Sequence, residues 1–277
     1  MNYVRKYYSD FSKYGSFFRM RFIAGLQYRA AAAAGISTQF VWGLMGLLTY
    51  KAFYEGNAAA FPMSFAQIAS YLWLQQAFLA LFMVWFFEND IFQTITDGGI
   101  AYELCRPTDL YTMWFFRSMA SRASKAVLRC MPILIIAAFL PEPYGVGLPA
   151  DFTAFFWFVI TAFLGFLVVV AFCMLVYLST FFTYSPVGVR MVAVSMVEFL
   201  SGGVLPLPFL PDGIRQAVEL LPFASMQNVP LLVYSGSIQG IQIIVKAGLQ
   251  LFWVVALIWI GRRITATALK RVVVQGG

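Results

Sequence analysis

The sequence predicts an all-α integral membrane protein with six transmembrane helices, and three observations support this fold class. Of the 277 residues, 61% are hydrophobic and only 11% are charged, whereas soluble domains carry about a quarter charged residues. Six apolar segments are each long enough to cross the hydrocarbon core as a helix, which takes about 20 residues. The basic residues are concentrated in alternate connections between these segments.

The boundaries of the six spans follow from the positions of charges and prolines. The third span is the least apolar, because four basic residues occupy its first half, and we expect their long side chains to reach the membrane interface. Pro132 is expected to kink this span. The predicted spans are residues 30–50, 66–87, 116–140, 152–183, 191–210 and 238–261.

The distribution of Lys and Arg orients the chain. Sixteen of the 19 basic residues lie before span one, between spans two and three or early in span three, between spans four and five, or after span six. Only Lys51, Arg215 and Lys246 lie on the other side. Because Lys and Arg mark the cytoplasmic side, both termini are predicted to be cytoplasmic. Residues 1–277 are then a single transmembrane domain, with no soluble domain beside it.

Residues 1–29 are predicted to form an interfacial helix rather than a span. Aromatic and aliphatic residues recur there at helical spacing, with basic residues between them. Such an amphipathic pattern is typical of a helix that lies on the inner leaflet. The alternative is a basic tail without fixed structure.

The chain breaks after span five in a way that a plain transmembrane helix does not require. Three consecutive small residues, Ser201, Gly202 and Gly203, precede a stretch rich in prolines. Irregular backbone at membrane depth is tolerated only where protein or a water-filled cavity shields it. We therefore predict a translocation path at this break and an extracellular or re-entrant element over residues 206–237. Asp212 is expected to cap a short amphipathic helix within it, and the alternative is an ordinary surface helix in a loop.

Glu198 is the one charge within span five. A carboxylate at mid-span costs a few kcal/mol on insertion scales and usually faces a cavity or a partner. One interpretation is a path residue that contacts substrate. The other is a protonated or hydrogen-bonded residue that packs helices together.

The connection between spans two and three, residues 91–110, is predicted to form a compact knob. Asp97-Gly98-Gly99 is a turn signal. Pro107 ends the element before it, and Thr108 can cap the next helix. The functional interpretation is a docking element for a cytoplasmic partner, and the alternative is a solvated connector.

Several function classes are disfavoured. The chain has no His, which is the commonest metal ligand and proton shuttle. Its three cysteines are scattered and suggest neither a disulfide framework nor a metal site. Neither a phosphate-binding Gly-x-x-x-x-Gly-Lys-Ser/Thr loop nor a Gly-x-Ser-x-Gly motif occurs. We therefore predict no enzymatic activity, no cofactor bound by this chain, and no nucleic-acid partner despite the net charge of +7.

Two stretches and the order of the elements resemble the type 2 permease family, the membrane subunits of ATP-binding-cassette exporters. The first stretch runs from Ser201-Gly202-Gly203 to Pro206 and continues through Leu210-Pro211, Leu221-Pro222-Phe223 and Pro230. The second stretch is Gly99-Ile100 with Leu104-Cys105-Arg106-Pro107, which is similar to the family's Gly-x-Ile…Leu-x-Arg-Pro segment before span three. The resemblance covers essentially the whole chain.

The resemblance implies an exporter subunit in a bacterial or archaeal inner membrane, with a path for a hydrophobic or amphipathic drug, lipid or peptide. Two permeases would pair in the bilayer, with a preference for two different chains. Two separate ATPase subunits would bind ATP and Mg²⁺. The implied ATPase-coupling residues are Asp97, Gly98, Gly99, Ile100, Leu104, Arg106 and Pro107. The implied path residues are Glu198, Ser201, Gly202 and Gly203, and the implied outer gate is Pro206, Pro208, Pro211 and Pro222.

Two other functions stay open on the residues alone. A non-transporting membrane scaffold or immunity protein would hold a partner at the inner leaflet and would need no path. An ion-driven transporter is expected to carry several mid-span carboxylates, and only Glu198 is clearly central.

Overall fold

The computed structural model of the chain describes residues 2–149, 151–183 and 185–270, with side chains described from residue 12 onward. Every regular element in these ranges is helical, which confirms the all-α prediction for this part of the chain. The α-helices are α1 (Asn2–Gly25), α2 (Arg29–Gly56), α3 (Phe65–Ala77), α4 (Leu79–Phe82), α5 (Asn89–Thr96), α6 (Ile100–Leu104), α7 (Leu110–Ala138), α8 (Phe152–Ser179), α9 (Pro186–Leu200), α10 (Asp212–Glu219), α11 (Asn228–Tyr234) and α12 (Ile241–Leu269).

Three helices of the described chain are long and apolar enough to cross a membrane by length and composition, namely α2, α8 and α12. They correspond to predicted spans one, four and six. The helices at the other three predicted spans differ in character: α3 has 13 residues, α9 has 15, and α7 carries the four basic residues noted above. The six-span count therefore stays a prediction.

Predicted span two is not a single helix over residues 66–87. The structure has α3, then the one-turn α4, then extended backbone at Met83. A capping box begins α3, since the Ser64 side chain accepts the Gln67 N–H and the Gln67 side chain accepts the Ser64 N–H. Because α4 is a single turn followed by extended backbone, the carbonyl groups at its end have no partner within the helix.

Arg122 of α7 satisfies those carbonyl groups. Its guanidinium donates to the carbonyl oxygens of Met83 at 2.6 Å, Val84 at 3.4 Å and Ala80 at 3.5 Å, and Arg122 is 1% exposed. A buried guanidinium and unpaired carbonyl groups each need a partner, and here they provide it to one another. The prediction that these basic residues reach the membrane interface is therefore wrong for Arg122, and also for Arg117, which is 8% exposed.

Helix α7 begins at Leu110, ahead of the predicted start of span three at residue 116. Its N-cap is Asp109 and not Thr108 as predicted, because the Asp109 carboxylate accepts the Thr112 N–H at 2.9 Å. The helix continues through Pro132 to Ala138.

The predicted span-five helix over residues 191–210 is shifted toward the N-terminus. Helix α9 starts with Ser185 as N-cap and Pro186 in its first turn, and it ends at Leu200. The prediction that Asp212 caps a helix is also wrong. Pro211 takes the N-cap position of α10, and the Asp212 carboxylate pairs with Arg215 at 2.7 Å within that helix.

Helix α8 lies at the centre of the bundle, where it packs against α7, α9, α11 and α12. One apolar core surrounds its C-terminal half and includes α5 and the start of α7. A second core surrounds its N-terminal half and includes α3 and α11. This arrangement leaves one face of α2 and one face of α9 outside the core, with Trp42, Met45, Met191 and Met196 exposed.

One end of the bundle gathers α1, α5, α6, the start of α7 and the end of α12. The Asp109 N–H donates to the Tyr14 hydroxyl at 2.8 Å, and the Tyr14 ring stacks on Phe116 at 5.8 Å. Arg262 of α12 donates to the Thr112 hydroxyl at 3.3 Å. A helix is thus present over most of predicted residues 1–29, although the side chains of residues 2–11 lie outside those described.

Candidate functional site

A cleft of about 1060 Å³ lies between α2, α3 and the backbone that follows α9. Its volume is at the upper end of the range for small-molecule sites, about 300–1,000 Å³. The lining is mixed, with aromatic rings beside amide side chains and two charges. Lining residues include Gln39, Trp42, Phe53, Trp85, Arg129 and Glu198.

Two of the four predicted path residues, Glu198 and Gly203, line this cleft, whereas Ser201 and Gly202 are buried behind it. Glu198 is half-buried, and its carboxylate has no hydrogen bond or ion pair with the residues that the structure describes. Its backbone carbonyl accepts the N–H groups of Gly203 and Val204, both at 3.1 Å. The backbone carbonyl of Glu198 is therefore satisfied at the end of α9, while its carboxylate can interact with a molecule in the cleft.

Gly202 makes the turn after α9 possible. Its φ is +80°, and a Cβ there would lie 2.5 Å from the Tyr71 hydroxyl, so both the left-handed conformation and the close contact require glycine. The Tyr71 hydroxyl donates to the Gly202 carbonyl at 3.1 Å, and the Gln75 amide donates to the Gly203 carbonyl at 2.6 Å. Polar side chains of α3 thus hold the break that the sequence predicts.

The segment after this turn covers the C-terminal end of α2. The Phe209 ring packs against Tyr50 at 5.6 Å and against Phe61 at 5.3 Å. The Leu207 N–H donates to the side-chain oxygen of Asn228 in α11 at 3.3 Å. Residues 228–233 of α11 are buried, so the chain does return into the body of the protein after α10.

The four predicted gate prolines do not converge on one point. Pro206 is buried and Pro208 half-buried in the segment that covers α2, whereas Pro211 is exposed at the start of α10 and Pro222 follows that helix. Pro208 also lines a separate cavity of about 530 Å³. Of the four, Pro206 alone follows directly on a residue that lines the cleft, Leu205.

Helices α5 and α6 form the knob that the sequence predicts, with Gly98 at φ +74° in the turn between them. Of the predicted coupling residues, Ile100 is 4% exposed and belongs to the core. Leu104 is 43% exposed, and Arg106 pairs with Glu103 at 3.4 Å on the surface. Asp97, Gly98 and Pro107 are exposed and Gly99 is half-buried.

Tyr102 of α6 was not predicted as a coupling residue, yet its side chain is 81% exposed. An exposed aromatic side chain of this size is unusual beside charged neighbours, and it widens the apolar surface formed by Leu104. In the sequence, only its position within the coupling segment could have indicated a role, because a single tyrosine forms no motif with its neighbours.

An aromatic cluster at the base of the knob was also missed. The Phe92 ring of α5 lies 5.0 Å from the Tyr177 ring of α8, and the Arg190 guanidinium of α9 lies 5.0 Å from the Phe92 ring. The Glu88 N–H donates to the Tyr177 hydroxyl at 2.8 Å. The sequence used Arg190 only as a topology signal, but in the structure it joins α9 to α5 by a cation–π contact.

Among the described residues, no group of three or more His, Cys, Asp or Glu side chains is placed to hold a metal ion. The geometry thus describes a mixed-polarity cleft beside a broken helix and a surface knob connected to that helix.

Residues 40–276 match the model of a protein family described as "ABC-2 family transporter protein". The match covers more than half of the chain, so the chain belongs to the ABC-2 family of transporter membrane proteins, and the resemblance drawn from its motifs is confirmed. Members of this family are membrane transport subunits and are not themselves the ATPase. A search of curated proteins gave no match to this sequence.

Proposed function

We propose that this chain is the transmembrane subunit of an ATP-driven exporter and that separate ABC ATPase subunits dock on α5 and α6. The observation that carries the proposal is that the knob has an exposed tip and a base packed against the rest of the helix bundle. Its tip exposes Tyr102 and Leu104, and its base is joined to α8 and α9 through Phe92, Tyr177 and Arg190. Family membership supports the proposal, because ABC-2 permeases usually work with an ABC ATPase.

Helix α9 links the knob to the cleft. Arg190 stands near its start, and Glu198, which lines the cleft, stands near its end. A displacement of α5 by the ATPase would therefore act on α9 through the Phe92–Arg190 contact and change the width of the cleft. Such rigid-body shifts of packed helices are a common form of conformational switching.

A second permease would complete the path. The cleft is bordered by α2 and α9, which both expose apolar residues, among them Met45, Met191 and Met196. Pairing through this face would enclose the cleft between the two chains and shield from lipid the irregular backbone at Val204, which is 58% exposed. The motif resemblance favours a different permease as the partner.

The topology belongs to the same proposal. The N-terminal helix, the knob and the end of α12 gather at one end of the bundle, and the sequence segments that form these elements carry most of the Lys and Arg residues. Placing this end in the cytoplasm of a bacterial or archaeal cell agrees with the positive-inside rule. Six spans then have both termini inside, and α10 and α11 form the outer, partly re-entrant element.

Co-purification of an ATPase tests the docking assignment. We expect Tyr102→Asp with Leu104→Asp to abolish recovery of a phosphate-loop ATPase with this chain, because the two carboxylates would be desolvated in an apolar interface. Leu148→Asp is the matched control, since Leu148 is 94% exposed beyond the opposite end of α7. Unchanged recovery from the double variant would refute docking at this knob.

A further inference from the structure

A second cavity of about 400 Å³ lies between α1, α2 and α7, next to the cleft. Four cationic side chains and two carboxylates line it. The cations are Arg21, Arg117, Lys125 and Arg129, and the carboxylates are Glu88 and Asp90.

Both carboxylates are already neutralised by two of the cations. Arg117 pairs with Glu88 at 3.7 Å and with Asp90 at a shorter distance, and Lys125 pairs with Glu88 at 3.7 Å. Arg21 and Arg129 have no ion pair with a carboxylate in the described part of the chain. The cavity therefore keeps an excess of two positive charges, Arg21 on α1 and Arg129 on α7.

The guanidinium groups of Arg21 and Arg129 also have unused donors. The Nε–H of each is buried and has no hydrogen-bond acceptor among the described residues. Burial and the nearby Arg117 lower the pKa of Arg21 from its ordinary value, and they outweigh the opposite effect of the carboxylates around it. Buried donors of a charged group are costly unless an acceptor meets them.

Arg129 belongs to both the charged cavity and the apolar cleft. Its guanidinium lies against the backbone of α2, where a Cβ on Gly35 would come within 2.6 Å of the Arg129 Cζ atom. The cleft continues from there along Trp42 and Phe53 of α2. A ligand with a charged end and an apolar chain could thus occupy both spaces at once.

We propose that the cavity binds the phosphate headgroup of an anionic amphiphile whose hydrocarbon chain lies in the cleft. The proposal rests on the proposed exporter function, because it names the substrate class. A phosphate monoester carries about −1.5 to −2 charge at pH 7, which matches the unpaired charge of Arg21 and Arg129. Arginine is the side chain best suited to phosphate oxygens, which it can bind with two parallel hydrogen bonds.

The Glu198 carboxylate lines the cleft and repels an anion there. The phosphate therefore belongs in the cavity that Arg21 and Arg129 line, and the uncharged chain belongs beside the aromatic residues of the cleft. Because α1 and the basic part of α7 lie toward the knob end of the bundle, this orientation matches an amphiphile that arrives from the inner leaflet.

Binding to the full chain in neutral phosphatidylcholine nanodiscs tests the headgroup site, with dodecyl phosphate as the probe. We expect Arg21→Gln with Arg129→Gln to weaken dodecyl phosphate binding about tenfold or more, since hydrogen bonds to charged groups are strong. Arg263→Gln is the matched control, because Arg263 is an exposed residue near the end of α12 that lines neither space. Equal binding by the wild type and the double variant would overturn the proposal.

A second variant and a second probe distinguish an amphiphile from free phosphate. At Gly46 of α2, which lines the cleft, a Cβ would meet only Leu72 at 3.8 Å, so Gly46→Leu fills the cleft without a clash at its Cβ. We expect Gly46→Leu to weaken dodecyl phosphate binding and to leave the weaker binding of inorganic phosphate unchanged. Inorganic phosphate that binds as tightly as dodecyl phosphate, with no effect of Gly46→Leu, would overturn the amphiphile assignment.

These measurements need no ATPase, so the two proposals can fail separately. Tyr102→Asp is expected to retain dodecyl phosphate binding while it loses the ATPase. If no ATPase associates with the wild type but the arginine variants still lose binding, the exporter proposal fails and the ligand site stands. If the ATPase associates and the arginine variants bind normally, only the ligand site fails.

Discussion

Gly202 is the residue on which the geometry of the broken helix depends most. A side chain there would have to adopt a left-handed backbone conformation and would also collide with the Tyr71 hydroxyl. The same hydroxyl donates to the Gly202 carbonyl and thereby fixes α3 against the end of α9. A side chain at position 202 would therefore both strain the backbone and disrupt the hydrogen bond to Tyr71.

We expect Gly202→Val to lower the thermal stability of the purified protein, because left-handed backbone costs a non-glycine residue about 1–3 kcal/mol before the collision is counted. The measurement is a thermal unfolding curve in detergent. Gly213→Ala is the control, since Gly213 lies in α10 with nothing within 4 Å of its Cβ position, and alanine is expected to be neutral or stabilising there. Equal melting temperatures for the two variants would contradict the turn geometry.

Arg122 is the other residue whose role the structure alone reveals. Its fork of donors reaches three carbonyl groups at the end of α4, and one of its terminal nitrogens also lies 3.1 Å from the Cys173 sulfur of α8. A lysine ammonium keeps the charge but is a compact donor without the planar fork. A lysine at position 122 therefore tests whether stability depends on the shape of the guanidinium or only on its positive charge.

Arg122→Lys is expected to destabilise the protein by roughly 1–3 kcal/mol, the cost of leaving a buried polar group unsatisfied. Thermal unfolding under the same conditions checks the change. Arg263→Lys serves as the comparison, because Arg263 is exposed near the end of α12. If both variants melt together, Arg122 does not hold the break in span two.

At the scale of elements, the contact between α5 and α9 is the proposed route from the ATPase to the cleft. Arg190 lies 5.3 Å from the Phe87 ring and 5.0 Å from the Phe92 ring, so a single side chain of α9 contacts both aromatic residues. The exposed tip of the knob lies on α6, away from this contact. A substitution can therefore disturb the α5–α9 contact without changing the surface on which the ATPase is proposed to dock.

We expect Arg190→Met to retain ATPase docking and to reduce substrate-stimulated ATP hydrolysis, because it removes the cation from both rings and leaves the tip intact. The measurements are co-purification and ATP turnover in the reconstituted complex. Arg215→Met is expected to behave as the wild type, because Arg215 forms its ion pairs with Asp212 and Glu219 within α10. Wild-type stimulation of ATP hydrolysis in Arg190→Met would show that this contact does not couple the ATPase to the cleft.

At the scale of the whole molecule, the cleft is bordered by α2 and α9 and faces away from α12, none of whose residues line it. The chain therefore has two different apolar surfaces. The α2–α9 surface surrounds a polar-lined cleft, and the α12 surface has exposed residues such as Phe252 and Trp259 that suit contact with lipid.

Pairing through the α2–α9 surface predicts a selective cross-link. In a variant without native cysteines, Met196→Cys is expected to cross-link to a second permease when a short bifunctional thiol reagent is added to native membranes. Phe252→Cys on α12 is expected to give no such product. Mass spectrometry of the product identifies the partner as a different chain or a second copy. Cross-linking from Phe252→Cys alone would contradict the proposed pairing.

The sequence by itself determined the features that depend on composition and local chemistry. Hydropathy predicted an all-α membrane protein, the glycine turn at Gly98 predicted two short elements, and the Ser201–Gly203 motif predicted the break after span five and the family. Each of these follows from a few adjacent residues, because backbone preferences and hydrophobicity act locally.

Only the tertiary structure decided which distant groups meet. The basic residues of span three predicted an interfacial segment, but Arg122 is buried because the carbonyl groups of a shortened helix lie beside it. The cleft, the charged cavity and the Phe92–Arg190 contact each combine residues from helices far apart in the chain. The pairing of a buried charge depends on its neighbours in space, and hydropathy along the chain contains no information about them.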